Sequence, residues 1–117
     1  MRGAERADRM EELAGGEGAK AVIAGLSLDF VFGKVWAREG LELDKRSLVT
    51  IGVLVALKQF AELENHLRIG LTNGLSYEEL EEAVIQTAPY AGFPAAWTAA
   101  GVLAKLREES LNEKGVV

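Results

Sequence analysis

The ten residues from Leu48 to Leu57 carry no charge; Thr50 is their one polar side chain and Gly52 their one glycine. Wound as a helix, the run is apolar on nearly every side: Leu48, Val49, Ile51, Val53, Leu54, Val55 and Leu57. A helix with no polar face belongs in a covered environment. The run is too short to cross a bilayer, which takes about 20 residues. In a chain of 117 residues such a helix is expected to be buried all round. One subunit has little else to cover it with, so the run also points to an oligomer.

The remaining punctuation is that of an all-α domain. Strand-like alternation is absent, and the two prolines, Pro89 and Pro94, come late. A short helix is predicted over about Glu5 to Leu13, closed by the Gly15-Gly16-Glu17-Gly18 breaker. That glycine stretch has no following Lys-Ser/Thr and no preceding strand, so it reads as a linker and not a phosphate loop. From Ala19 to Ala37 apolar residues recur at helical spacing (Val22, Ile23, Leu26, Phe30, Val35). Gly40 breaks the pattern. Asp44 is the expected N-cap of a helix over Lys45 to about Lys58.

Phe60 to Asn73 reads as the next helix, with Gly74 at the position that favours a left-handed residue. Ser76 and Glu79 fit a capping box that starts another. Pro89 is expected to kink or end it, and Pro94 to open a last helix. The small residues Ala95, Ala96, Ala99, Ala100, Gly101 and Ala104 give that helix a face for close contacts. The whole of 1–117 reads as one domain, with 1–18 as an N-terminal arm and 108–117 as a frayed tail.

Composition removes several function classes. Lys plus Arg is 13 against 18 for Asp plus Glu, a net charge of −5. That disfavours a nucleic-acid binder and gives no attraction to anionic membranes. There is no cysteine, so disulfides, thiolate metal sites and thiol redox catalysis are out. One histidine cannot make a multi-His metal site within one chain. No metal is expected. The N-terminal stretch is charged throughout and has no apolar h-region. The expectation is a cytoplasmic protein without a membrane segment.

The candidate chemistry lies on the helix Phe60 to Asn73. Phe60, Leu63, Leu67, Gly70 and Leu71 form its core stripe; Ala61, Glu64, Asn65, Arg68 and Thr72 form the solvated side. Glu62, His66 and Asn73 fall on the boundary between them. Glu62 and His66 are four residues apart and can meet. A carboxylate beside an imidazole orients the ring and favours its charged form, which makes a proton-handling pair. An ordinary surface i,i+4 pair has the same spacing. Arg46 is either a bidentate clamp for a substrate carboxylate or a solvated helix end, as Lys45 is. Tyr90, just after Pro89, is either a hydroxyl facing a cleft or a core aromatic. Trp36, Trp97, Phe30, Phe32 and Phe93 read as core or interface.

Three stretches in order, WAREGLELDKRSLVTIGVLVAL from Trp36, ELENHLRIGLTNG from Glu62 and APYAGFPAA from Ala88, resemble the carboxymuconolactone decarboxylase family. This family is related to proteins of the alkylhydroperoxidase (AhpD-like) fold. Arg9 with Leu13-Ala14-Gly15 is roughly similar to the family's entry motif. The resemblance implies an all-α AhpD-like domain of about six helices, assembled as a homotrimer or homohexamer. The redox branch carries a Cys-x-x-Cys where this chain has Gln59 and Glu62, so thiol peroxidase activity is excluded.

The cysteine-free branch implies a lyase that needs no cofactor and acts on a carboxylated lactone in aromatic-acid breakdown. Glu62 and His66 would be its catalytic pair; Arg46, Asn73 and Tyr90 would bind substrate. An isomerase or cyclase on another lactone or enolisable carbonyl compound, and a non-catalytic small-ligand-binding oligomer, are the alternatives.

Overall fold

The computed structural model describes residues 14–113. The predicted helix at Glu5 to Leu13 and the Arg9 motif lie outside the described residues. Among the described residues the α-helices are, in order, α1 (Gly18–Leu26), α2 (Leu43–Ala56), α3 (Phe60–Thr72), α4 (Tyr77–Ala91) and α5 (Phe93–Glu113). A π-helical segment, Ser27–Trp36, continues directly from α1. Among the described residues there is no strand, and no helix is long and apolar enough to cross a membrane. The fold is all-α, as expected.

The core is a four-helix cluster of α2 to α5. Ile51 and Val55 of α2, Leu63 and Leu67 of α3, Leu80 and Val84 of α4, and Ala95, Ala99, Leu103 and Leu106 of α5 meet in it, with Leu75 from the α3–α4 turn. Each helix contributes residues three or four apart, the spacing that lines one helical face. Leu75 lies so close over Gly70 that a Cβ there would meet its Cδ1 at 3.2 Å. Glycine at 70 is what lets the turn fold back onto the helix.

The helix ends follow local chemistry. α3 closes on Gly74 at φ 106°. The amides of Gly74 and Leu75 donate to the carbonyls of Leu71 and Gly70, satisfying carbonyls the helix leaves open. α2 closes the same way with amides of Lys58 and Gln59 on the carbonyls of Val55 and Leu54, but a lysine takes the left-handed position, at φ 58°. Ser76 and Glu79 form the expected capping box, with both bonds at 3.0 Å.

Several expectations are corrected. The apolar helix is not buried all round in one chain. Ser47, Ile51 and Val55 are buried, while Leu48, Val49, Val53 and Leu57 reach the surface. Three neighbouring helices cover only one of its sides. Asp44 does not cap it: Glu42 is the N-cap, and Asp44 sits in the first turn, where a carboxylate suits the positive end of the helix. Pro89 does not end α4, which runs on to Ala91 and stops at Gly92, φ 100°. Pro89 removes one amide donor from the last turn of α4, and the helix still runs two residues further, to the stop set by glycine.

Residues 108–113 are helical and not frayed. Glu109 there pairs with Arg68 at 3.5 Å, which also leaves Arg68 half-buried instead of solvated. The expected helix over 19–37 is α only as far as Leu26 and π thereafter.

Candidate active site

α3 carries the boundary stripe that the sequence suggested. Leu63, Leu67 and Gly70 face the core, Ile69 is also buried, and Glu62, His66 and Asn73 are half-buried. Glu62 lies in the first turn of α3, where the helix dipole favours a negative charge. His66 follows one turn later, within side-chain reach.

His66 has an aromatic neighbour from another element. The imidazole and the indole of Trp36 lie with ring centroids 6.0 Å apart and planes 19° from parallel. Trp36 is half-buried at the last position of the π-helical segment. The imidazole is thus held beside an apolar wall, with a carboxylate one turn away along its own helix. A ring so placed has a defined plane, with its Nδ1 edge buried.

Asn73 reaches the neighbouring helix. Its Nδ2 donates to Ser47 Oγ at 3.1 Å. Ser47 is fully buried, in the stripe Ser47, Ile51, Val55. Oδ1 of Asn73 is buried and has no hydrogen-bond partner among the described residues.

Arg46, next to Ser47, uses its guanidinium on the loop before α2. Nε donates to the Leu41 carbonyl and Nη2 to the Arg38 carbonyl, each at 3.1 Å. Nη1 is the part of the fork those two bonds leave over. Lys45 makes an exposed pair with Glu42 at 3.4 Å.

Tyr90 stands apart from these groups. It is 85% exposed, so it is not a core aromatic. It lines an apolar groove of about 410 Å³ between α2 and α4, with Leu48, Gly52, Ala56 and Thr87. Neither Glu62 nor His66 lines that groove. The structure therefore brings Trp36 to His66, with Glu62 one helical turn away on α3, and Asn73 to Ser47 at the α2–α3 seam.

Sequence reasoning missed two partners. Ser47 was visible as a polar residue at the head of a buried i, i+4, i+8 row. Trp36 as the neighbour of His66 was not visible, because an α-helical wheel carried to residue 36 misplaces a side chain delivered by π winding.

The all-helical domain carries a half-buried histidine one turn from a half-buried glutamate on its second core helix, and comparison with known proteins names its family. The model of the carboxymuconolactone decarboxylase family matches residues 23–105. The chain belongs to that family.

Among curated proteins, it is 48% identical over 66 residues to a 4-carboxymuconolactone decarboxylase of Acinetobacter baylyi, covering 56% of this chain and 49% of that protein. It is 39% identical over 69 residues to a nitrosuccinic acid decarboxylase of Metarhizium robertsii, covering 59% and 48%. An uncharacterized 15.0 kDa protein of Paracoccus denitrificans is 36% identical over 70 residues, covering 58% and 52%. The chain spans about half the length of the curated relatives it matches.

Proposed function

We propose that the protein is a decarboxylase that expels carbon dioxide and protonates the delocalised carbanion left behind, with His66 as the proton donor and Glu62 as the group that keeps it charged and aligned. The observation that carries this reading is the placement of the chain's single histidine: half-buried, stacked on Trp36 and one turn from Glu62.

The two named relatives support the reaction class. A carboxylated muconolactone and nitrosuccinic acid are different molecules with one shared feature. In each, the electron pair left by departing carbon dioxide is stabilised by an electron-withdrawing oxygen group, a carbonyl in one and a nitro group in the other. The balance is the same for both. The C–C bond breaks, its electron pair moves onto the acceptor, carbon dioxide leaves, and a proton is delivered to carbon. His66 gives that proton as imidazolium and recovers one from solvent. Glu62 stays ionised throughout. A proton donor placed within reach contributes on the order of 10² to 10⁴ in rate.

The other sequence candidates take smaller parts in this reading. Arg46 offers Nη1 to a substrate carboxylate while its other donors hold the 38–41 loop. Asn73, whose buried Oδ1 has no hydrogen-bond partner among the described residues, would accept from a substrate donor only if the seam opened to admit one. Tyr90 offers a hydroxyl on the α2–α4 groove.

The same reading makes the protein a homo-oligomer, a trimer or hexamer. It is supported by Phe93 and Trp97, which are 76% and 83% exposed, and by the uncovered Val49, Val53 and Leu57.

The test is incubation with 4-carboxymuconolactone and, separately, with nitrosuccinic acid in deuterium oxide. Carbon dioxide release with one deuterium taken up on carbon in the product is expected from at least one of them. Deuterium exchange without carbon dioxide, across a panel of enolisable acids, would replace the decarboxylase with an isomerase. A folded protein inert towards all of them overturns the reading.

A further inference from the structure

We propose that Trp36 is the positioning residue for His66 and that the π-helical winding of Ser27–Trp36 exists to deliver it, an inference that rests on His66 as the proton donor.

The contact has the geometry of an offset stack. The centroid separation is 6.0 Å and the planes are 19° from parallel, within the range such pairs adopt. The indole face carries the negative part of the ring quadrupole. An imidazolium beside it is attracted, most of all for tryptophan among the aromatics. The stack therefore does two things for a proton donor. It fixes the plane of the ring, and it favours the protonated form over the neutral one. Glu62 is the charged group that α3 itself sets beside the imidazole, and it acts in the same direction.

The winding is what makes the contact. In a π-helix each amide bonds five residues back, so each residue advances by a smaller angle than in an α-helix. Over ten residues the difference accumulates to a large rotation. α winding would carry Trp36 to another side of the segment, away from His66.

Gly33 is a position where a side chain would press on the segment's own backbone. A Cβ there would meet the Leu28 carbonyl oxygen at 3.0 Å, five residues back along the π turn. None of the segment's ten residues is buried, so core packing does not account for so unusual a winding.

The chain has one histidine and two tryptophans, so the imidazole signals can be followed by NMR without ambiguity. The measurements are the pH titration of the His66 ring protons and their cross-relaxation with indole protons. They are made on the wild type, Trp36→Phe, Trp36→Leu and Gly33→Ala, each checked by circular dichroism.

In Trp36→Leu the titration midpoint is expected to fall. On a substrate that turns over, kcat falls about tenfold with KM nearly unchanged. Trp36→Phe, which keeps an aromatic face and tests the point even if the leucine variant fails to fold, recovers part of both effects. Gly33→Ala, with Trp36 still present, weakens the cross-relaxation.

An unmoved midpoint in both Trp36 variants overturns the inference and leaves the decarboxylase reading standing. Unchanged cross-relaxation in Gly33→Ala overturns the role of the winding. A shifted midpoint in a protein that releases no carbon dioxide upholds the contact and removes the donor role of His66, which falls with the proposed function.

Discussion

Asn73 ends α3 by donating its Nδ2 to the fully buried hydroxyl of Ser47, 3.1 Å away on α2. A fully buried hydroxyl in an otherwise apolar row needs such a partner, because an unpaired one costs about 1 to 3 kcal/mol. Asn73→Ala is therefore expected to lower unfolding stability by about 1 to 2 kcal/mol. Ser47→Ala should cost less, because Asn73 is only half-buried and can turn to water. The double variant should cost little more than Asn73→Ala alone. Urea unfolding of the four proteins checks this. If Asn73→Ala leaves stability unchanged and raises only KM, the side chain serves substrate and not the α2–α3 seam.

Glu62 and His66 are predicted to behave as one unit. His66→Ala and Glu62→Gln should each remove most of the activity, by about 10² to 10⁴ for the lost donor. The double substitution should add little, because residues acting together are non-additive. Only the imidazolium donates, so wild-type kcat should hold on the acid side and decline as pH rises through the imidazole titration. Steady-state rates across pH for the four proteins decide it. Full activity in His66→Ala removes the mechanism, and multiplicative losses in the double variant break the unit into two independent contributions.

The sequence made the core helices legible because their signals are local. The capping box at Ser76 and Glu79, the glycine stop at Gly74 and the Leu63–Leu67–Gly70 stripe all appear as written. The candidate site was legible only along α3, where one helix fixes the spacing of Glu62 and His66. Contacts between elements were not. The partner of Asn73 depends on how α2 lies against α3. The neighbour of His66 depends on a π winding whose hydrogen-bond pattern no residue spacing announces. Arg46 looked free in the sequence because its acceptors, the carbonyls of Arg38 and Leu41, belong to a loop that has no pattern.

The end of α2 offers a stability test that leaves the site alone. Lys58 sits at φ 58°, a conformation that costs a residue with a Cβ about 1 kcal/mol or more and costs glycine little. The surrounding bonds from Lys58 and Gln59 to Val55 and Leu54 hold it there. Lys58→Gly should raise stability by about 0.5 to 1 kcal/mol, and Lys58→Val should lower it. Thermal unfolding measures both. A destabilised glycine variant would show that the lysine side chain contributes more than its backbone strain removes.

The aromatic residues at the start of α5 give the assembly its test. Phe93 and Trp97 are 76% and 83% exposed in the single chain. Both line one apolar hollow with Ile85, Ala88, Pro94 and Ala100. Side chains this exposed contribute little to the fold of one chain, so their removal should leave the helical spectrum and monomer core intact. Covering a large apolar side chain is worth about 1.5 to 3 kcal/mol. If a second copy covers both, Phe93→Ser with Trp97→Ser should weaken each interface by about 3 to 6 kcal/mol, or roughly 10² to 10⁴ in dissociation constant. Sedimentation velocity at micromolar concentration is expected to show an oligomer for the wild type and a shift towards monomer for the double variant. A wild type that sediments as a monomer removes the assembly. An oligomer that survives both substitutions moves its interface elsewhere, to the uncovered Val49, Val53 and Leu57 of α2.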